Sequence, residues 1–289
     1  MAEKEIDATS GTETTGHEWD GIKELNTPMP KWWLYTFYAS VVWAAIYCVF
    51  YPAWPLVTTT TQGVLGYSSR ADVAEAIEVA RAAQSKYLDQ IKASSLDDIR
   101  ANQDLVQFAV AGGRSAFAVN CSQCHGSGAS GSLGYPNLND DDWIWGGTLD
   151  AIYTTIAHGI RFEANDDTRV SDMPAFGADD ILQPAQITDV LEHVLSLSAK
   201  EHDAAAAGRG AEVFAENCAA CHGDDGAGNH ELGAPALNDA LWLYGSARET
   251  IAAQIRRPSH GVMPAWSHRL DDATIKQLAV YVHSLGGGQ

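Results

Sequence analysis

Two copies of one short pattern hold most of the reactive side chains of this sequence: Cys121-Ser122-Gln123-Cys124-His125 and Cys218-Ala219-Ala220-Cys221-His222. Four of the five cysteines sit in them. By chance, Cys-Xaa-Xaa-Cys-His is expected on the order of 0.003 times at this composition. On a helical turn the three side chains project to one side, so two thiols can add to porphyrin vinyl groups while the imidazole ligates the iron. The pattern predicts two covalently bound haem c groups, held by Cys121, Cys124, Cys218 and Cys221, with His125 and His222 as axial ligands. A four-cysteine zinc site is the poorer reading, because its pairs normally lie about 15–20 residues apart. Here Cys124 and Cys218 are 94 apart. A thioredoxin-like redox pair needs a βαβ context, which neither copy offers.

Each iron needs a ligand on its other face. The chain has four methionines, and two of them, Met173 and Met263, stand in a repeated Met-Pro-Ala-aromatic motif. They fall 52 residues after Cys121 and 45 after Cys218. A thioether is a soft ligand that raises the reduction potential, and Pro174 and Pro264 stiffen the loops that carry it. Gap-filling in a core is the plainer role for a methionine, but matched placement favours ligation by Met173 and Met263. Whether each serves its own copy's haem, or the two loops are exchanged between copies, spacing leaves open. His158 and His260, each in a His-Gly pair ahead of the methionine, are the reserve ligands. The other histidines read as surface or packing residues.

The elements that position these groups also repeat. Gly113, Phe117 and Asn120 before the first motif match Gly210, Phe214 and Asn217 before the second. Pro136-Asn137-Leu138-Asn139-Asp140 matches Pro235-Ala236-Leu237-Asn238-Asp239, and Trp143 and Trp145 match Trp242 and Tyr244. Ile187, Val190, Val194 and Leu197 match Ile275, Leu278, Val282 and Leu285, a closing amphipathic helix in each copy. Phe117 and Phe214 lie one turn before the first cysteine and read as core residues. Trp143, Trp145, Trp242 and Tyr244 read as crevice walls. Two mostly helical domains with loop-rich middles follow, at 108–200 and 204–289, with the Ala-rich stretch 199–208 as their boundary.

Upstream, Trp32–Tyr51 is 20 residues without a charge. As a helix it spans roughly 30 Å, the thickness of a bilayer's hydrocarbon core. Trp32, Trp33 and Tyr35 at one end and Tyr47, Tyr51 and Trp54 at the other form an aromatic belt, and Pro52 and Pro55 stop the helix. A cleaved signal peptide has a basic start and a shorter apolar core, so 31–55 reads as an uncleaved transmembrane anchor. The preceding residues 1–30 carry seven acids and two bases; up to about Gly16 they read as a disordered tail. Residues 56–107 read as a helical linker, serving equally well as plain spacer or as docking surface. Cys48 is a packing residue inside the anchor. The expected fold is therefore mostly α: one N-terminal transmembrane helix followed by two tandem class I-like cytochrome c domains.

Composition narrows the function. Lys and Arg number 18 against 37 Asp and Glu, a formal charge of −19, in a chain of 289 residues. So acidic a chain is repelled by phosphate backbones, which argues against nucleic-acid binding, and suits docking of a basic partner such as a small cytochrome c. Haem attachment to such motifs takes place outside the bacterial cytoplasmic membrane. That puts the haem domains in the periplasm and the N-terminus in the cytoplasm. A haem closed by histidine and methionine has no vacant site for oxygen or peroxide and passes electrons.

The run Glu18-Trp19-Asp20-Gly21-Ile22, then Glu24-Leu25-Asn26-Thr27-Pro28-Met29-Pro30, Trp32-Trp33 and the exit Tyr51-Pro52-Ala53-Trp54-Pro55, resembles the dihaem CcoP (FixP-type) subunit of cbb3-type cytochrome c oxidases. Anchor, linker and both haem motifs come in that family's order. The resemblance implies a subunit of a proton-pumping terminal oxidase at the bacterial inner membrane. Such a subunit takes electrons from a donor cytochrome c and passes them to a monohaem cytochrome c subunit and then the haem–copper catalytic subunit. It implies Cys121, Cys124, His125 and Met173, and Cys218, Cys221, His222 and Met263, as the haem residues, and leaves both methionine pairings open. The alternatives are a free-standing membrane-anchored dihaem carrier serving another reductase, and a dihaem peroxidase-like enzyme. The second needs an iron with an open site, against which two intact Met-Pro motifs argue.

Overall fold

A computed structural model describes residues 5–289. These fall into two units, one reaching to Ala83 and one running from Gln84 to Gln289. The first unit opens with an antiparallel hairpin of β1 (Thr14–Trp19) and β2 (Ile22–Leu25), in which Trp19 pairs with Ile22. The tail reading of residues 1–16 fails here, since β1 begins at Thr14 and Ile6 bridges Glu13; residues 1–4 lie outside the described residues. The missed signal is Asp20-Gly21. Both residues have positive φ, 48° and 83°, the two-residue turn whose twist suits a hairpin. Helix α1 (Lys31–Phe50) follows, with no buried residue, and is the described helix long and apolar enough to cross a membrane.

Helix α2 spans Ser69–Ala93, and its residues from Gln84 on belong to the second unit. Its C-terminal end is docked. Ile91 is fully buried, Tyr87 stacks on Phe108, and Lys276 Nζ donates to the carbonyl oxygens of Ile91, Lys92 and Ser94. A cation on the last carbonyls of a helix meets the negative end of its dipole. This end of α2 is thus part of the second unit's core rather than a free spacer. Helix α3 (Leu96–Ala101) is capped by Ser95 and α4 (Gln103–Asn120) by Asn102. The linker reading to residue 107 thus ends inside α4.

The second unit is built of matched pieces. Helix α4 leads into the short turn α5 (Ser122–His125), and α6 (Leu149–His158) follows after a long loop. Helix α7 (Pro184–Leu197) closes the first copy, with Pro184 in its first turn. Then α8 (Ala204–Asn217), α9 (Ala219–His222), α10 (Arg248–Arg256) and α11 (Asp272–His283) repeat the series. The Ala-rich stretch divides: Asp203 caps α8, and Ala204 to Ala207 are its first turn.

The closing helices do not return to their own copies. One buried cluster holds Phe117 of α4, Ile152 and Ile156 of α6, and Ile275, Leu278 and Val282 of α11. The other holds Phe214 of α8, Ile251 and Ile255 of α10, and Ile187, Val190 and Val194 of α7. Arg209 of α8 grips both carboxylate oxygens of Asp189 on α7, at 2.9 and 2.5 Å. Buried Glu192 of α7 pairs with Arg248 of α10 and accepts the backbone N–H of Asp203. Phe117 and Phe214 are both 2% exposed, a burial whose loss on truncation to alanine costs about 3–5 kcal/mol.

A fragment ending at Lys200 leaves α4 without α11. We expect residues 103–200 alone to show no cooperative denaturant transition, where 84–289 shows one. A 103–200 fragment that unfolds cooperatively would mean that α7 can close its own copy.

Candidate functional site

The first cysteine of each motif ends a helix, since Cys121 caps α4 and Cys218 caps α8. The next four residues form one further turn, so Cys121, Cys124 and His125 share a side, as do Cys218, Cys221 and His222. Cys124 and Cys221 are exposed, and Cys121 and Cys218 half-buried. Burial, helped by the neighbouring cysteine, pushes the Cys121 and Cys218 thiols up to about 11, so both are held protonated.

The repeated proline, given no role in the sequence, has one in the structure. His125 Nδ1 lies 3.1 Å from the carbonyl oxygen of Pro136, and His222 Nδ1 lies 3.0 Å from that of Pro235. An Nδ1–H donated to a carbonyl fixes the ring and leaves the Nε2 lone pair for a metal. Burial lowers the pKa of both imidazoles, and the carbonyl bond only partly opposes it. Both are therefore neutral, the ligating form.

Met173 and Met263 each come to the other copy's motif. Met173 lines a cavity with Cys218, Cys221, His222, Phe214 and Trp242. Its empty space is about 1410 Å³, including the solvent-open mouth. Met263 packs on the cluster that holds Phe117, Ile152 and Ile156, the same cluster on which Cys121 packs. The loops cross at a small bridge, where Ile160 exchanges both backbone bonds with Met263, at 2.9 and 3.0 Å. Arg161 reaches across the same point, donating to the Gly261 carbonyl from Nε and to the Ser171 carbonyl from Nη1, both at 2.8 Å.

Of the reserve ligands, His260 lines the cavity 3.9 Å from Asp172, and His158 lies 3.9 Å from Asp167. The crevice aromatics divide. Trp242 and Tyr244 line the cavity, Trp143 is buried with Nε1 donating 2.7 Å to the Gly287 carbonyl, and Trp145 packs against Gly233. The zinc reading loses ground, because the two cysteine pairs stand on separate cores. Among the described residues, no three His, Cys, Asp or Glu side chains gather as a bare-ion site.

Whether the residues fit a haem can be tested on the cavity itself. Its walls are largely apolar, its histidine is neutral with Nε2 free, and the buried Trp242 Nε1 has no partner in the protein. A buried donor left unpaired costs about 1–3 kcal/mol, and a porphyrin carboxylate supplies an acceptor. The residues fit.

The family described as "Cytochrome C oxidase, cbb3-type, subunit III" matches residues 108–194 and 205–282, and that described as "N-terminal domain of cytochrome oxidase-cbb3, FixP" matches 11–58. The chain belongs to the FixP/CcoP family of cbb3-type cytochrome c oxidase subunits. It is 55% identical over 286 residues to "Cbb3-type cytochrome c oxidase subunit FixP" of Rhizobium meliloti (strain 1021), covering 99% of this chain and 98% of that one. To "Cbb3-type cytochrome c oxidase subunit CcoP" of Cereibacter sphaeroides it is 51% identical over 276 residues, covering 96% and 95%. To the CcoP subunit of Azospirillum brasilense it is 54% identical over 296 aligned positions, covering all of both. Membership of this family makes the chain a haem c protein and an electron-transfer subunit of an oxidoreductase complex.

Near the crevices, Asp142 is half-buried, and burial followed by the like charges of Asp239 and Asp140 pushes its carboxyl up to about 6. The folded chain holds this proton more tightly than the unfolded one. Its ionisation therefore costs stability as pH rises from about 4 through about 6. Asp142→Asn should stabilise the protein at pH 7, by about 1 kcal/mol after discounting for partial exposure. The gain should shrink between pH 6 and 4 in denaturant titrations. A gain that does not change with pH would contradict the assignment.

Proposed function

We propose that this chain is a membrane-anchored dihaem cytochrome. It accepts electrons from a donor cytochrome c and hands them to the monohaem subunit, and so to the haem–copper oxygen-reducing subunit, of a proton-pumping cbb3-type oxidase. The relatives' names support the oxidase, and the match of residues 11–58 to the FixP N-terminal domain supports the anchor. Cys121 and Cys124 hold one haem c, and Cys218 and Cys221 the other, as thioethers. When bound, haem supplies a one-electron couple and no proton or group transfer.

The observations that support the reading are an oriented histidine in each motif, Met173 lining the cavity of His222, and Met263 packed on the core that Phe117 and Cys121 share. In this reading His125 and Met263 ligate one iron, and His222 and Met173 the other. Pro136 and Pro235 hold the imidazoles in one tautomer. Phe117, Phe214 and Trp266 keep water from beneath the sites, and a closed, dry, soft-ligand site favours the ferrous state. Helix α1 is the membrane span. The N-terminus lies in the cytoplasm and the haem sites in the periplasm, where attachment chemistry takes place. The formal charge of −19 favours a basic donor.

The test is purification of the chain from native membranes in mild detergent, with reduced-minus-oxidised and carbon-monoxide difference spectra. We expect b-type haem and a carbon-monoxide-reactive centre to accompany two c-type haems. Recovery of c-type haem alone, under conditions that keep other respiratory complexes whole, would make the chain a free-standing carrier. Carbon monoxide binding to the isolated chain would expose an open iron and favour the peroxidase-like reading.

A further inference from the structure

The two copies differ most between the His-Gly pair and the methionine. One residue, Val262, separates Gly261 from Met263, whereas thirteen, residues 160–172, separate Gly159 from Met173. This insert carries two arginines, which meet different fates. The donors of Arg161 are spent on the Gly261 and Ser171 carbonyls, with Asp172 at 4.0 Å. Arg169 is held just as firmly by its backbone, accepting from Arg161 N–H at 2.8 Å and donating to Gly159 at 3.2 Å. Its guanidinium lies 5.2 Å from the Trp145 ring. It makes only long bonds to the carbonyls of Trp145 and Ala151, at 3.4 and 3.3 Å.

Arg169 Nε is buried and has no partner. Among the described residues no carboxylate lies within 4.0 Å of it, whereas Asp189 lies 2.5 Å from Arg209 and Glu192 pairs with Arg248. Burial alone lowers the pKa of this guanidinium. A buried donor on a cation without a counter-ion is costly, and Arg presents a fork that matches a carboxylate. The carbonyls that hold it belong to the 143–151 segment, whose Trp143 and Leu149 are part of the cluster around Phe117 and Cys121, while its Ile144 lines the cavity beside Cys218 and His222.

We propose that Arg169 is the counter-ion of a haem propionate, on the haem carried by Cys121 and Cys124. The first-copy insert thus sets that haem's potential apart from the other's. This rests on the dihaem reading above. An arginine beside a propionate keeps it ionised through neutral pH and adds a positive charge near the iron, favouring the ferrous state.

The experiment is spectroelectrochemical titration, across neutral pH, of the full chain in detergent as wild type, Arg169→Gln and Arg169→Lys. The affected haem is identified in a parallel series in which Cys218 and Cys221 are alanine. In Arg169→Gln the Cys121-bound haem should have a lowered potential at alkaline pH. That potential should also fall with rising pH where the wild type's is flat. Arg169→Lys should restore most of both properties, and the other haem should not move. Unchanged potentials in Arg169→Gln, a shift on the other haem, or an Arg169→Lys shift as large as that of Arg169→Gln would each overturn the proposal. A wild-type chain without two c-type haems would instead overturn the dihaem reading.

Discussion

In each half of the haem unit, two helices approach so closely that only glycine fits where they meet. A Cβ on Gly113 of α4 would stand 2.2 Å from the carbonyl oxygen of Gln277 on α11, and one on Gly210 of α8 would stand 2.0 Å from that of Asp189 on α7. One turn further along, Phe117 packs on Tyr281 with ring centroids 5.5 Å apart, and Phe214 on His193 at 5.1 Å. Each cysteine–histidine turn grows directly from the end of such a helix. The height and direction of both His125 and His222 therefore depend on contacts with a closing helix from the other copy.

From that contact the rest of the site follows. A closing helix taken from the other copy brings with it the loop just ahead of it, so Met263 arrives with α11 and Met173 with α7. The Ile160–Met263 bridge and Arg161 lie where the loops cross, and movement of one loop is resisted by the other. Neither cysteine–histidine turn is packed by its own copy's closing helix. The C-terminal end of α2 joins the same core through Ile91 and Lys276, and so holds the helix that closes the first core.

Much of the chemistry could be read from residue types and spacing. The two motifs, the methionines, the core phenylalanines and the apolar stripes of α7 and α11 all lie on the elements expected of them. Topology could not be read in this way, because duplicated copies have near-equivalent surfaces. Gly113 and Gly210 match in the sequence, yet nothing there says which closing helix each will meet. The Pro136 and Pro235 carbonyls were visible only as matched letters, since a backbone acceptor leaves no side-chain signature. Arg169 stood in an insert with no counterpart to compare, and its unpaired Nε emerges only from burial. The hairpin at 14–25 was missed for a different reason: its acidic, Thr-rich composition masked the Asp20-Gly21 turn.

The exchange of methionine loops is the central claim, and a chain with a single haem tests it most directly. With Cys218 and Cys221 replaced by alanine, only the haem on Cys121 and Cys124 remains, and the charge-transfer absorption of methionine-ligated ferric haem reports its ligand. The account predicts that this band survives Met173→Ala and is lost in Met263→Ala. Loss on Met173→Ala, with the band intact in Met263→Ala, would contradict it and return each methionine to its own copy.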